Sequence, residues 1–322
     1  MQKRKSHLVS AGAIAACLVL TVLLPAEAAE GARSGLSVCA GVIIPSLFPF
    51  LVLSALCSAL GLTGTVIRLA APLFRALRIS PNAAAPMLLG FLGGYPIGAD
   101  TLAALVRDGT LSPAEAERML PYCNNTGPAF IIGAAGSAVF GSARLGLGLY
   151  LCHILAALTL ALLSEKNTCT QTAPPPPIPA GGFAECFPGC VRSAAASVLN
   201  ISAFVVFFSM LTALLNAVGL YPALIAAFAR ASGAELQFSR ALLTGLLELG
   251  SGITAMRGLA ATPCNLALCA FLLGFGGLSV HCQTLSVLSG TKIRCARHFA
   301  GRILHGALSA LYAYLLFTLL QI

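Results

Sequence analysis

Residues 87–136 read MLLGFLGGYPIGADTLAALVRDGTLSPAEAERMLPYCNNTGPAFIIGAAG, and this stretch decides the fold. It holds two apolar segments, each interrupted in its middle. The run GGYP at residues 93–96 interrupts the first, because glycine lowers helix stability and proline removes a backbone donor. The run NNTGP at residues 124–128 interrupts the second and adds two side-chain amides and a hydroxyl. The sequence therefore predicts two broken helices.

A short polar helix is predicted between the two interruptions. Ser112 is its expected N-cap, Pro113 lies in its first turn, and Glu115 stands at the position that closes a capping box. The segment that connects the two broken helices is therefore predicted to form a separate helix that begins after Ser112.

The composition places both broken helices in a membrane. Hydrophobic residues make up 58% of the 322 residues, charged residues 9%, and mean hydropathy is +0.91, whereas a soluble domain is roughly one-quarter charged. The chain is therefore an all-α polytopic membrane protein of the cell membrane, with the lipid bilayer as its main partner. Its net charge of +9 is a topology signal, and no nucleic-acid-binding pattern accompanies it.

Interrupted helices in a membrane are typical of solute sites. Unwound backbone at membrane depth is tolerated only where it is buried in protein or faces a water-filled cavity. Transporters usually hold their solute at such discontinuous helices. The alternative is that the glycines serve close packing between helices.

The rest of the chain divides around a change in composition. Residues 164–186 are polar and then proline-rich, with four consecutive prolines, and are predicted to be a stiff linker. Residues 35–163 and 187–322 flank it, and the second stretch repeats the order of the first: a long apolar segment, a short helix, two interrupted segments and a last helix. Corresponding interruptions in two halves are the best sequence-level pointer to a transporter site.

Residues 1–34 are predicted to form an N-terminal anchor helix. Three basic residues at positions 3–5 precede an apolar run at 8–24, and the sequence AEA at 26–28 resembles a signal-peptide cleavage site. A cleaved signal peptide is thus one interpretation. The run borders on spanning length, so an uncleaved helix with a cytoplasmic N-terminus is favoured.

Two basic stretches also indicate orientation. Residues 68–79 place Arg68, Arg75 and Arg78 on one face of an expected interfacial helix. A basic loop with Lys292, Arg294, Arg297 and Arg302 is expected before a last helix at 303–320.

Only two carboxylates, Asp100 and Glu248, lie within apolar sequence. A carboxylate at membrane depth faces protein or water, so Glu248 is either a site residue or part of a structural salt bridge. Gln283 follows a Gly-Gly pair in the second half. The Asn-Asn-Thr run is expected to approach Glu248 and Gln283, since each group would relieve the other's desolvation. The predicted solute-binding residues are Gly94, Tyr95, Asn124, Asn125, Thr126, Glu248 and Gln283.

The sequence has no motif for metal binding, catalysis or nucleotide binding. The twelve cysteines are scattered, and the pair at 186 and 190 has no second pair at zinc-ligand spacing. No catalytic triad or nucleotide-binding loop occurs, so we expect neither an enzyme nor a cofactor or metal site.

The motifs also carry a family resemblance. GFLGGYPIGAD at 90–100 and EAERMLPYCNNTGPAFIIGAAG at 115–136 resemble the first repeat of the YlbJ-type sporulation integral membrane proteins, and GFGGLSVHCQ at 274–283 is similar to an element of their second repeat. The resemblance covers residues 36–320. It implies a fold of two Gate-type repeats with broken or re-entrant helices, about eight to ten membrane segments in all. The Gate, or nucleoside-recognition, group is related to nucleoside transporters and to the membrane part of ferrous-iron transporters. The resemblance to the YlbJ-type proteins also implies a role in spore cortex formation.

Two functions remain open at this point. The first is a secondary permease or solute-recognition protein for a small polar, nucleoside-like solute. The alternative is a non-transporting assembly or regulatory component of envelope or spore biogenesis. A homo-oligomer or a membrane partner protein is compatible with either.

The orientation can be tested by labelling. We expect the N-terminus and the two basic stretches to face the cytoplasm, because Lys and Arg flank cytoplasmic ends of membrane helices. Single cysteines placed at residues 75 and 294 in a cysteine-free background should resist an impermeant thiol reagent added outside. Labelling of either from outside contradicts the orientation.

Overall fold

Helices account for all the regular structure of the residues that the computed structural model describes, which are 2–76, 79–164 and 182–321. The first part contains α1 Gln2–Leu23, α2 Pro25–Val38, a π-helical turn Cys39–Ile43, α3 Ile44–Ala59, α4 Leu62–Ala76, α5 Ala84–Gly93, α6 Ile97–Arg107, α7 Pro113–Cys123, a π-helical segment Ala129–Val139 and α8 Ala143–Ser164. The second contains α9 Phe183–Ala217, α10 Leu220–Ser232, α11 Leu236–Leu247, α12 Leu249–Ala255, α13 Pro263–Phe275, α14 Gly277–Val287 and α15 Ala296–Leu319.

The lengths and hydropathy of these helices confirm the polytopic membrane class. Within the described residues four stretches are long and apolar enough to cross a bilayer, namely Ala143–Ser164, Phe183–Ala217, Pro263–Val287 and Ala296–Leu319. The bent pair Ala11–Leu23 and Pro25–Ile43 raises the number to five if it forms one span, and four shorter apolar helices accompany them. The predicted half-length segments are therefore present.

The N-terminal region contains two helices. Residues 1–34 were expected to form one anchor, but α1 ends at Leu23 and α2 begins at Pro25, with a bend of 103° between their apolar parts. Proline at the first helical position explains the new start. Helix α2 packs on α9, where a Cβ on Gly31 would lie 2.5 Å from the Ala213 Cβ.

The capping box of α7 is confirmed. The Ser112 Oγ accepts a hydrogen bond from the Glu115 N–H at 3.3 Å, and the Glu115 carboxylate accepts one from the Ser112 N–H at 3.0 Å. Pro113 occupies the first turn as expected.

The order of elements is the same on both sides of the linker. A broken helix pair, α5/α6 or α11/α12, follows a short helix in each half, and α7 or α13 comes next. The arms of each pair pack side by side through glycine: a Cβ on Gly90 would lie 3.5 Å from the Gly98 Cα, and Gly252 contacts Gly245 in the same way. Each pair is therefore a helical hairpin. Of the predicted linker 164–186, residues 165–181 with their prolines lie outside the described residues, and residues 183–186 instead form the first turn of α9.

The last helix starts earlier than predicted, and this corrects the basic loop. Helix α15 begins at Ala296, so Arg297 and Arg302 are helical. Arg302 has no exposed surface and is not a loop residue. The basic residues between 294 and 302 suggested a solvent-exposed loop, because their helical spacing was not considered.

Other charged residues differ from the expectation or lie outside the described part. The Asp100 side chain is 62% exposed and lies 4.0 Å from the Arg107 guanidinium, so it is not a buried membrane carboxylate. In the expected interfacial stretch, α4 ends at Ala76, and Arg78 and the Arg75 side chain lie outside the described residues.

Glu117 joins α7 to the loop before α15. Its carboxylate accepts hydrogen bonds from the Arg294 backbone N–H at 3.0 Å and from the Arg294 Nε at 3.1 Å. These bonds hold the pKa of Glu117 below its ordinary value. Arg294 remains largely exposed, which places this contact at a surface of the protein.

A glycine substitution tests the hairpin geometry. Gly94 has φ 77° and ψ −169°, a region that only glycine adopts readily. A Cβ there would also lie 2.8 Å from the Gly127 nitrogen. Gly94→Ala should greatly reduce the yield of folded protein in size-exclusion profiles.

The matched control is Gly109→Ala. Gly109 has φ 80° but nothing within 4 Å of its added Cβ, so only the left-handed backbone cost of about 1–2 kcal/mol applies. Equal yields of folded protein for the two variants would show that the contact between Gly94 and Gly127 contributes nothing to the stability of the fold.

Candidate functional site

Four chain breaks meet in the centre of the protein. We call residues 94–96 the first break, 124–128 the second, Glu248 the third and Gly276 the fourth; each separates two helical segments. The first contacts the second through Gly94 and Gly127. The residues that directly follow the third and fourth breaks also contact each other, since a Cβ on Gly277 would lie 3.2 Å from the Leu249 nitrogen. A Cβ on Gly276 would lie 3.2 Å from the Tyr95 hydroxyl, so the two halves meet as well.

A cavity lies between these breaks. Its volume is about 50 Å³, which is room for a few water molecules. Its polar lining comes from Tyr95, Thr126, Glu248 and Gln283. Its remaining lining consists of glycines and apolar side chains: Gly93, Gly94, Gly127, Gly250, Ile43, Leu47, Phe130, Ile201, Val205, Leu249 and Val280.

Glu248 is the acidic side chain of the cavity. It is 3% exposed, and its two oxygens accept the N–H groups of Gly250 at 2.8 Å and of Ser251 at 2.5 Å. Those donors are free because they start α12, and a negative charge is favoured at a helix N-terminus. The carboxylate thus has partners in its own chain segment, and the ion pairs of the described residues do not include Glu248, which removes the alternative of a structural salt bridge within that part of the chain.

Two of the other polar lining groups, Thr126 and Tyr95, connect the halves. The Thr126 hydroxyl donates to the Leu273 carbonyl at 2.8 Å, and the Tyr95 hydroxyl donates to the same oxygen at 3.3 Å. The Gln283 amide donates to the Ser279 hydroxyl at 3.4 Å. Thr126, Glu248 and Gln283 are therefore brought together as expected, on one cavity.

The two asparagines are placed differently. Both are fully buried, yet neither lines the cavity. The Asn124 amide donates to the Thr284 hydroxyl at 2.9 Å, and the Asn125 amide donates to the Tyr122 carbonyl at 2.8 Å. Asn125 thus caps the last turn of α7, while Asn124 reaches the second half beside Gln283. Their role in binding a solute stays a prediction.

Arg302 is a central residue that the sequence interpretation missed. Its Nη1 donates to the carbonyl of Asn124 and to Nδ1 of His305, both at 2.8 Å. Its Nη2 donates to the Tyr95 hydroxyl and to the Gly274 carbonyl. One side chain of α15 therefore contacts the first and second breaks and the last turn of α13, just before the fourth break.

Four buried histidines surround this guanidinium: His153, His281, His298 and His305. His305 Nδ1 accepts from Arg302, so its proton resides on Nε2, which donates to the His153 carbonyl at 3.1 Å. His153 Nε2 in turn accepts the Thr126 N–H at 3.2 Å. His305 and His153 thus each accept one hydrogen bond at a ring nitrogen, His305 from the guanidinium itself.

A helical pattern in the sequence could have found this cluster. His298, Arg302, His305 and Ser309 follow one another at spacings of four, three and four, which place them on one face of a helix. All four are buried. Read as a helix face, the stretch predicts a polar stripe within the protein.

Two comparisons with known proteins match this chain, one in its first half and one over most of its length. The Gate model, described as nucleoside recognition, matches residues 40–163, which includes the first two breaks. The chain is 30% identical over 328 residues to the sporulation integral membrane protein YlbJ of Bacillus subtilis (strain 168), an alignment that covers 93% of this chain and 80% of the relative. No solved structure matches the chain.

The bond between Thr126 and Leu273 can be tested by Thr126→Val. Valine keeps the size but loses the donor, so the free energy of unfolding should fall by about 0.5–1.5 kcal/mol, the usual worth of one hydrogen bond. Thermal unfolding in detergent measures this as a lower Tm. Thr101→Val is the control, because the Thr101 hydroxyl bonds only the Ile97 carbonyl of its own helix. An equal Tm for both variants would contradict the link between the halves.

Proposed function

The chain belongs to the family of the sporulation integral membrane protein YlbJ, and from this premise we propose that it is a secondary permease or solute-recognition protein for a small polar solute. The observation that supports the proposal is the cavity between the halves, where Tyr95, Thr126 and Glu248 lie at chain breaks and Gln283 is added from α14. Nucleosides are the first class of solute to test, since the Gate model that matches residues 40–163 is described as nucleoside recognition.

The lining chemistry favours a neutral or cationic solute. Glu248 supplies negative charge, and Tyr95, Thr126 and Gln283 supply hydroxyl and amide groups. An anion would meet the Glu248 carboxylate with no lysine or arginine among the lining residues. A hydroxyl-rich or amine-bearing solute would instead find both donors and acceptors.

The size of the cavity implies a closed state. A volume of about 50 Å³ holds a few waters and is too small for a nucleoside. Binding therefore requires the halves to separate at the contacts between Leu273 and the side chains of Tyr95 and Thr126. Movement of one half against the other around a fixed site is the usual way in which repeat-built transporters work.

The proposal is tested by uptake into proteoliposomes. Purified protein should take up at least one member of a panel of labelled nucleosides and small polar metabolites. Glu248→Gln should lower uptake by about tenfold to a hundredfold, the worth of one charge-assisted hydrogen bond to the solute. Glu235→Gln is the control, because Glu235 is an exposed carboxylate before α11 and should leave uptake unchanged.

The second candidate function has its own support. The small cavity and the relative's name as a sporulation protein both suit a non-transporting component of envelope or spore assembly. Folded protein that neither takes up nor binds any member of the panel would favour this candidate. A role in building the spore cortex is then tested by deletion in a spore-forming host.

A further inference from the structure

Arg302 is a buried cation without an acidic partner in the described part of the chain. Its side chain has no exposed surface, and the ion pairs of the described residues involve Arg33, Arg107 and Arg294. An isolated charge in an apolar interior is strongly unfavourable. Some other negative potential must therefore stabilise the guanidinium.

That potential comes from the ends of two half-helices. The carbonyls of Pro121 and Asn124 lie at the C-terminal end of α7, and the carbonyl of Gly274 lies in the last turn of α13. All three accept hydrogen bonds from Arg302. Each helix C-terminus carries about −0.5 of an elementary charge, so two of them balance one guanidinium.

The two half-helices occupy equivalent places in the two halves. Helix α7 follows the α5/α6 hairpin and ends at the second break, and α13 follows the α11/α12 hairpin and ends at the fourth. Converging C-terminal ends of broken helices, with their free carbonyls, form a cation site in transporters of this general construction. We propose that Arg302 is a built-in cation, a positioning residue that fills the site between α7 and α13 which a free cation would otherwise have to occupy.

An anion-binding role for Arg302 does not fit the geometry. Both terminal nitrogens already donate to oxygen or imidazole acceptors, and only Nε lacks a partner. Arg302 also does not line the central cavity. The guanidinium is thus held by its own chain and presents no free donor pair to a ligand.

One consequence concerns transport and rests on the proposed function. Since the cation site is filled by the protein itself, uptake should proceed equally well in sodium, potassium and choline chloride. Sodium-dependent uptake would contradict the built-in cation.

The direct test measures stability and so does not depend on transport. Arg302→Ala protein in detergent should unfold at a lower Tm in choline chloride, and millimolar methylguanidinium should raise that Tm saturably at constant ionic strength. The wild-type Tm should rise less than that of the variant, because its site between α7 and α13 is already filled. Phe317→Ala is the packing control on the same helix, because Phe317 is 1% exposed and apolar. It should lose stability without any rescue.

The opposite results overturn the proposal. One is an Arg302→Ala variant that is destabilised but not rescued by methylguanidinium. The other is a wild-type protein whose Tm methylguanidinium raises as much as that of the variant. If Arg302→Ala gives no folded protein, the proposal is tested by comparing the yields of folded Arg302→Lys and Arg302→Gln protein. A higher yield for the lysine variant supports the built-in cation, and equal yields, high or low, refute it.

Discussion

The structure depends on one constraint, which is that every carbonyl released where a membrane helix is broken must find a donor within the protein. Three carbonyls in the last turn of helix α7 show how donors are found. The Leu120 carbonyl accepts the Asn124 N–H, the Pro121 carbonyl accepts Arg302, and the Tyr122 carbonyl accepts the Asn125 amide. In α13 the Leu272 carbonyl accepts the Gly276 N–H, Leu273 accepts Tyr95 and Thr126, and Gly274 accepts Arg302. In a bilayer without water, each group left unpaired would cost several kcal/mol.

The two central charges are both stabilised by helix ends. Glu248 binds the free N–H groups at the start of α12, and Arg302 binds the free carbonyls at the ends of α7 and α13. Neither charge depends on the other for its partner. The Glu248 carboxylate therefore remains at the cavity wall, where a solute can share it with the backbone.

Much of this fold follows from local sequence chemistry. Glycine, proline and the Asn-Asn-Thr run predict the breaks near residues 94 and 124, and Ser112 with Glu115 predicts the start of α7. These signals act within a few residues, so the sequence carries them directly. The meeting of Thr126 with Glu248 and Gln283 on one cavity also follows from the repeated order of elements.

The rest depends on side-chain direction and on distant partners. Asn125 faces back to α7 instead of into the cavity because its amide finds the Tyr122 carbonyl three residues away. Arg302 is assigned to a loop when only its basic neighbours are considered, and its true partners are 178 and 207 residues away along the chain. The split of residues 1–34 follows from Pro25 at the first position of α2, a signal that the interpretation of this stretch as one helix did not use.

The position of Arg302 in the last helix has a consequence for biogenesis. Ribosomes deliver the chain from its N-terminus, so α7 and α13 enter the membrane before α15 does. Until residue 302 arrives, the carbonyls of Pro121, Asn124 and Gly274 lack the donor that they bind in the finished protein. The hydrogen bonds at the centre of the molecule can therefore be completed only when synthesis of the chain is nearly finished. A chain truncated before α15 would present the cell's quality-control proteases with an unfinished core.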